Sequence, residues 1–156
     1  VNIMRFKDVL DSTGAMLVRG DADRFVHGVS TDTRTLQPQA LYLALSGPNF
    51  DGNAFARQAE ERGAGGLLLR AGASLPLAEL PTDAPVAVHD APLRALSDLA
   101  SWHRARLSIP VVGITGSCGK TTTKNILRQL LEPHRTVVAS PASFNNDVGV
   151  PHTLLL

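Results

Sequence analysis

The sequence predicts an α/β protein in two parts: a small α/β domain over residues 1–107, then the opening βαβ of a second domain over residues 108–156. Three observations carry this. Short apolar runs alternate with stretches of helical period, as in a sheet whose strands are joined by crossover helices. Pro110 divides a helical stretch from VVGIT, residues 111–115, which is apolar and β-branched as a central parallel strand should be. Between that strand and the next helical repeat lies GITGSCGKTTTKN, residues 113–125, dense in glycine and ending a strand where a helix begins.

The elements follow in order. RFKDVLD, 5–11, reads as a short helix ending near Gly14, and AMLVR, 15–19, and RFVHGVS, 24–30, as short strands. STDTRTLQPQ, 30–39, is dense in Ser, Thr, Asp and Pro and reads as a loop. ALYLALSG, 40–47, is a buried strand followed by the loop GPNFDGN, 47–53. Residues 54–62 form a helix that stops at Gly63, and GGLLLR, 65–70, is a second buried strand. Pro76, Pro81 and Pro85 make 71–85 irregular, and PVAVHD gives another strand. Asp90 is expected to cap a helix over 92–107 whose inner side carries Leu93, Leu96, Leu99, Ala100 and Trp102. Beyond the glycine-rich loop, Ile126, Leu127, Leu130 and Leu131 repeat at helical spacing, Pro133 closes that helix, and TVVAS, 136–140, is one more strand.

The composition narrows the class. With 44% hydrophobic and 19% charged residues the chain can build a core and is not of disordered type. A net charge of +1 gives no electrostatic case for nucleic acid or an anionic membrane. The apolar runs are too short to span a bilayer, and Arg5, Lys7, Asp8 and Asp11 stand where a signal peptide would place its apolar core. The single Cys118 excludes an internal disulfide and a Cys-rich zinc site, and His27, His89, His103, His134 and His152 show no metal-ligand spacing. All of this suits the cytosol. The second part, fewer than about fifty residues, suffices for one βαβ unit but not for a nucleotide-binding domain. The chain is therefore expected to stop inside its second domain.

The glycine-rich loop looks miscounted. Gly119-Lys120-Thr121 supplies the G-K-T ending of a phosphate loop, yet the usual G-x-x-x-x-G-K-[ST] spacing needs a glycine at Ile114. Context favours a working loop: an apolar strand before it, glycines able to turn the backbone, and a helix starting at the G-K-T. Backbone N–H groups from Gly116 to Thr121, including those of Ser117 and Cys118, would then converge on phosphate oxygens at a helix N-terminus. Lys120 can reach the β- and γ-phosphates of ATP, and the Thr121 hydroxyl is placed for Mg2+. Thr122 either adds a hydroxyl to the phosphates or is a plain first-turn residue. Cys118, among those N–H groups and beside Lys120, is either a small tolerated side chain or a thiol that alkylates faster than a free one and is protected by ATP.

GITGSCGKTTT resembles the longer-spaced G-x-T-G-[TS]-x-G-K-T-[TS] loop of the Mur ligase family, ATP-dependent amide-forming enzymes of peptidoglycan synthesis. Residues 30–69, with STDTR and GPNFDG, resemble that family's N-terminal UDP-binding domain, and FNNDVGVPHTLL, 144–155, resembles the N-N-D-[IV]-G-V-P segment of its D-alanyl-D-alanine-adding branch. The runner-up is the branch that adds the third amino acid, and a non-catalytic UDP-ligand module is the reading from another class. The resemblance implies addition of D-alanyl-D-alanine to UDP-MurNAc-tripeptide through an acyl phosphate, with ATP and Mg2+. It implies an ATP site at Gly116, Gly119, Lys120 and Thr121, with Lys120 and Thr121 as the catalytic pair and Thr121 on the metal.

On the precursor side it implies Asn145 and Asn146 near the pyrophosphate and muramoyl end, the alternative being an Asx turn into a helix at Val148, with Asp147 capping that helix. Ser30, Thr31 and Arg34 form a candidate anion site, with Arg34 either forking a diphosphate or pairing with Asp32. Asn49 and Phe50 match the uracil-contacting loop, although a lone Phe is more commonly an edge-of-core residue. The family's second Mg2+ ligand, its carbamylated lysine and its adenine site lie beyond the matched segment, so these 156 residues are expected to be inactive alone. The apolar end HTLLL would normally start a buried helix, so the 156 residues alone are expected to be sticky or locally disordered there.

Overall fold

The computed structural model describes residues 3–47, 50–72, 77, 80–141 and 146–156. A five-stranded sheet forms the centre: β2 (Met16–Arg19), β4 (Val29–Ser30), β5 (Leu41–Leu43), β8 (Gly66–Arg70) and β9 (Val86–His89), in the order β2-β9-β8-β5-β4. The last four run parallel, and β2 closes one edge antiparallel to β9. Successive strand side chains point to opposite faces, so the unbroken leucine runs serve two cores. Leu41, Leu43 and Leu68 join Phe6, Val9, Leu96 and Leu99 beneath α1 (Phe6–Thr13) and α3 (Pro92–Ala105). Tyr42, Leu67, Leu69, Val86 and Val88 meet Ala56 and Ala59 of α2 (Ala56–Glu61) on the other face.

The expected strand over 24–30 is two elements. Gly28 turns at φ 77° between β3 (Phe25–His27), which pairs antiparallel with β1 (Ile3–Arg5), and β4 of the main sheet. Residues 40–47 likewise divide into β5 and β6 (Ser46–Gly47), and β6 pairs with β7 (Phe50–Asp51) inside the segment expected to be a plain loop. A 3₁₀ turn over Gly52–Phe55 then leads into α2. Helix α1 ends as expected, with Gly14 in the left-handed region and its N–H donating to the Leu10 carbonyl at 2.8 Å. Gly66 admits close packing: a Cβ there would lie 2.6 Å from the Phe6 ring, so only glycine lets that ring seat on β8.

Asp90 does not cap α3. The N-cap is Ala91, which has no side chain to offer; Pro92 starts the helix, and the His89 imidazole Nδ1 accepts the Ala91 N–H at 2.9 Å. Leu93 is exposed, because it lies about 100° round the helix from Pro92, at the margin of the buried stripe. That stripe is Pro92, Ala95, Leu96, Leu99 and Ala100. One ion pair has its acid fully buried. Glu60 on α2, with a side chain 0% exposed, accepts from Arg19 of β2 and from the Thr82 N–H at 3.0 Å. Arg19 also donates to the Leu77 and Ala84 carbonyls, so the pair ties sheet edge, helix and the 77–84 segment together.

The second stretch forms its helices but not its strands. Helix α4 (Lys120–Leu131) begins at the expected lysine and contributes no buried residue. Residues 111–115 and 136–140, expected as strands, carry no strand pairing. An extended segment becomes a strand only where a neighbour takes its backbone N–H and C=O groups, and none lies alongside either one among the described residues. Helix α5 (Gly149–Leu154) turns back onto the first part instead: Leu155 is buried in the core cluster under α1 and α3, with Val148 and Leu154 packed against it. The apolar end HTLLL thus closes a helix instead of starting one, and it is packed on the core where stickiness or local disorder was expected. No helix of the described residues is long and apolar enough to cross a membrane.

Candidate functional site

Two groups of candidate residues occupy separate places. The first is the loop before α4. Gly116 has φ 151° and Gly119 φ 77°, both in the region that favours glycine, and Gly119 is the helix N-cap. With no Cβ at either position the backbone turns tightly enough for Lys120 to be the first helical residue. No acceptor takes the N–H groups of residues 116–122 among the described residues, and the Thr121 and Thr122 hydroxyls are likewise unengaged and exposed. Lys120 folds back over the loop, its ammonium donating to the Gly116 carbonyl and, at 3.5 Å, to that of Ser117. Cys118 is exposed at the tip. Free N–H groups, a cation and a hydroxyl at a helix start suit a nucleotide's phosphates and a phosphate-bound Mg2+.

The second group lies at the carboxyl ends of the parallel strands, the edge where open α/β sheets take ligands. A cleft of about 400 Å³ there is lined by Ser46, Gly47, Arg70, Asp90 and the first turn of α3. Phe50 borders it. Its ring lies over Gly47, where a Cβ would come within 2.7 Å of it, and the residue is 56% exposed. The loop under the ring is firmly built. Asp51 accepts from the Ser46 hydroxyl at 2.9 Å and the Asn53 N–H at 3.0 Å, which holds its carboxyl below the usual range. The buried Tyr42 hydroxyl donates to the Gly52 carbonyl at 3.0 Å. Burial, with Asp32 and Asp51 nearby, pushes that phenol up to about 12.

Ser30 ends β4, Thr31 and Arg34 follow it, and none of the three lines this cleft. Ser30 is buried, and its hydroxyl donates to the Asp32 carbonyl at 2.9 Å. The Arg34 guanidinium is forked on Asp32, at 3.0, 3.1 and 2.6 Å, and this contact holds the Asp32 carboxyl down at about 2. Asn146 makes the Asx turn: its side-chain oxygen accepts the N–H of Val148 at 3.3 Å and of Gly149 at 2.8 Å. It, and not Asp147, satisfies the start of α5. Asn49 and Asn145 lie outside the described residues. Arg70 and Asp90 were not foreseen as site residues; the one available signal was their place at the end of a strand pattern.

The description "Mur ligase family, catalytic domain" matches residues 25–102, half of the chain, and "Mur ligase middle domain" matches residues 114–156. The chain belongs to the Mur ligase family. Among curated Mur ligases it is similar to the UDP-N-acetylmuramoyl-tripeptide–D-alanyl-D-alanine ligase of Escherichia coli K12, 40% identical over 134 residues, which are 86% of this chain and 28% of that protein. The enzyme of the same name from Bacillus subtilis is 38% identical over 130 residues, 83% of this chain and 28% of its own length. The crystal structure of the Acinetobacter baumannii MurF ligase shares the fold at a TM-score of 0.82 and 24% identity, over 99% of this chain and 33% of that one. That of the Thermotoga maritima MurF ligase in complex with ADP aligns at 0.67 and 28% identity, over 83% of this chain and 29% of that one. The chain thus spans about a third or less of the relatives it matches, 28% of each of these two curated enzymes.

Proposed function

We propose that this chain supplies the precursor-binding part and the phosphate loop of an ATP-dependent ligase that joins D-alanyl-D-alanine to UDP-MurNAc-tripeptide. The observation that carries the reading is the loop 116–122, with its two positive-φ glycines and unpaired N–H groups at the start of α4, in a chain whose relatives bear that activity in their names. The division into a precursor domain over 1–107 and an ATP-binding part from 108 belongs to the same proposal, as do a cytoplasmic location and a monomeric state.

In this reading residues 116–121 cradle the nucleotide phosphates. Lys120 leaves the Gly116 carbonyl to neutralise the β- and γ-phosphates, and the Thr121 hydroxyl holds Mg2+. Bound Mg-ATP supplies the phosphoryl group that activates a carboxylate for attack by an amine. The protein's share of such a transfer is positioning and charge neutralisation. Phe50 offers its ring face to a uracil, and Asn49 the edge-reading amide. Asn146 keeps the turn into α5 and presents its amide N–H groups outward, with Asn145 beside it. Phosphate loop and precursor cleft together hold substrates, and the 156 residues bind them without turnover.

Calorimetric titration with UDP-MurNAc-tripeptide, UDP-MurNAc-dipeptide and Mg-ATP tests this. Saturable binding of a UDP precursor is expected, with Mg-ATP binding lost in Lys120→Ala and Cys118 protected from alkylation by Mg-ATP. A folded chain that binds Mg-ATP and neither precursor would sink the reading.

A further inference from the structure

We propose that Arg70 is the side chain that takes the diphosphate of the UDP ligand, an assignment that rests on the precursor-site reading above. Arg70 ends β8, between β5 and β9, and lines the cleft bordered by Phe50. Its backbone is held from both sides by one amide: the Arg70 N–H donates to Asn53 Oδ1 at 2.9 Å, and Asn53 Nδ2 donates to the Arg70 carbonyl at 2.9 Å. Asn53 is itself buried, so the guanidinium starts from a fixed point and loses less freedom when it engages a ligand.

The other arginines of the first part are spoken for. Arg5, Arg19, Arg24, Arg34, Arg57 and Arg94 each hold an acid, and Arg62 donates to the Arg34 carbonyl. Arg104 donates to the Leu107 carbonyl and Arg106 lies over the Trp102 ring, so the Arg70 guanidinium alone among them has no hydrogen bond, ion pair or ring contact within the described residues. Asp51, the acid that loop geometry brings near it, spends its carboxylate on Ser46 and Asn53. Asp90 shares the cleft, so an anion is favoured only on the Arg70 side. Arg34, the arginine expected from the sequence, would have to leave a three-contact fork and strand Asp32 beside the incoming negative charge. A guanidinium with its donors free suits a diphosphate, whose oxygens accept two parallel N–H bonds.

The test is calorimetric titration of the 156-residue chain and its variants with UDP and with uridine, each protein checked by thermal melting. Arg70→Ala is expected to weaken UDP at least about tenfold while leaving uridine unchanged, with Arg70→Lys intermediate because charge survives and the fork does not. Equal UDP affinity in Arg70→Ala and the parent overturns the assignment. So does an equal loss of uridine, which would mean a collapsed cleft, or a loss confined to Arg34→Ala. A folded parent chain that binds neither UDP nor uridine removes the precursor site itself; uridine binding without any gain for UDP removes only the role of Arg70.

Discussion

Residues 3–102 and residues 108–141 use similar apolar side chains to opposite effect. In the first stretch Leu41, Leu43, Leu67, Leu68 and Leu69 are 0% exposed, because each strand has neighbours on both sides and helices over both faces. In the second, Val111, Val112, Ile126, Leu130 and Val138 are all 50% to 65% exposed. Helix α4 still forms, since helical hydrogen bonds are internal to the segment. Gly119 starts it, and the i,i+4 pair Arg128–Glu132 lies along it. The strands around it do not, since sheet hydrogen bonds must come from elsewhere. Local chemistry is enough for a glycine loop on a helix. A sheet needs company.

Amide hydrogen exchange puts the largest number on this contrast. The N–H groups of β5 and β8 are expected to exchange roughly four orders of magnitude more slowly than those of 111–115, because the first open only with the whole core and the second are already solvated. Helix α4 should fall between. Comparable protection of 111–115 and β8 would break the comparison, by showing that those residues find a strand partner in solution.

The Arg19–Glu60 pair sharpens it from the other side. Arg19→Met leaves the buried Glu60 carboxylate without its partner and is expected to cost about 3–5 kcal/mol in urea unfolding, while Arg19→Met with Glu60→Leu recovers most of that loss. Arg128→Ala removes an exposed pair on α4 and is expected to cost less than about 0.5 kcal/mol. Equal costs at the two sites would mean that the Glu60 carboxylate is not buried, and that the first stretch is as open as the second.

What the sequence made legible divides along the same line. Gly14, Gly63 and the loop glycines 116 and 119 mark element ends because their constraint is a local backbone angle. The leucine runs at 40–45 and 65–70 reveal buried strands because two-sided burial writes itself into consecutive residues. The capping of α3 was misplaced by one residue, since Asp90 has the right side chain and Pro92 fixes the start. Gly28 looked like part of a strand because only the pairing of β3 with β1 shows that the chain changes sheets there. Pairs distant in sequence left no trace at all: Arg19 with Glu60, Thr33 with Gln58, the Asn53 amide across the Arg70 peptide. For the same reason the cleft at the strand ends was approached from its loop, at Phe50, and not from Arg70 in its lining.

The smallest expected effect is the titration of Tyr42, whose position makes it a reporter of the first stretch alone. It is the chain's single tyrosine, so absorbance at 295 nm reads one group. Burial raises its folded-state value to about 12, against about 10 for the unfolded chain. Below pH 10 the phenol is neutral in both states and its contribution to stability is complete. Between 10 and 12 the unfolded chain releases the proton first, so that contribution drains away as pH rises, with the slope that proton linkage requires. The phenolate midpoint is therefore expected near 12 while circular dichroism stays native, or to coincide with loss of the native signal if the fold gives way sooner. A midpoint near 10 in a chain that is still folded would mean that water already reaches the Gly52 carbonyl which the phenol holds. The loop beneath Phe50 would then be as open as the loop beneath Lys120, and the distinction between a loop built in advance on the sheet and a glycine loop left uncovered would fail at its centre.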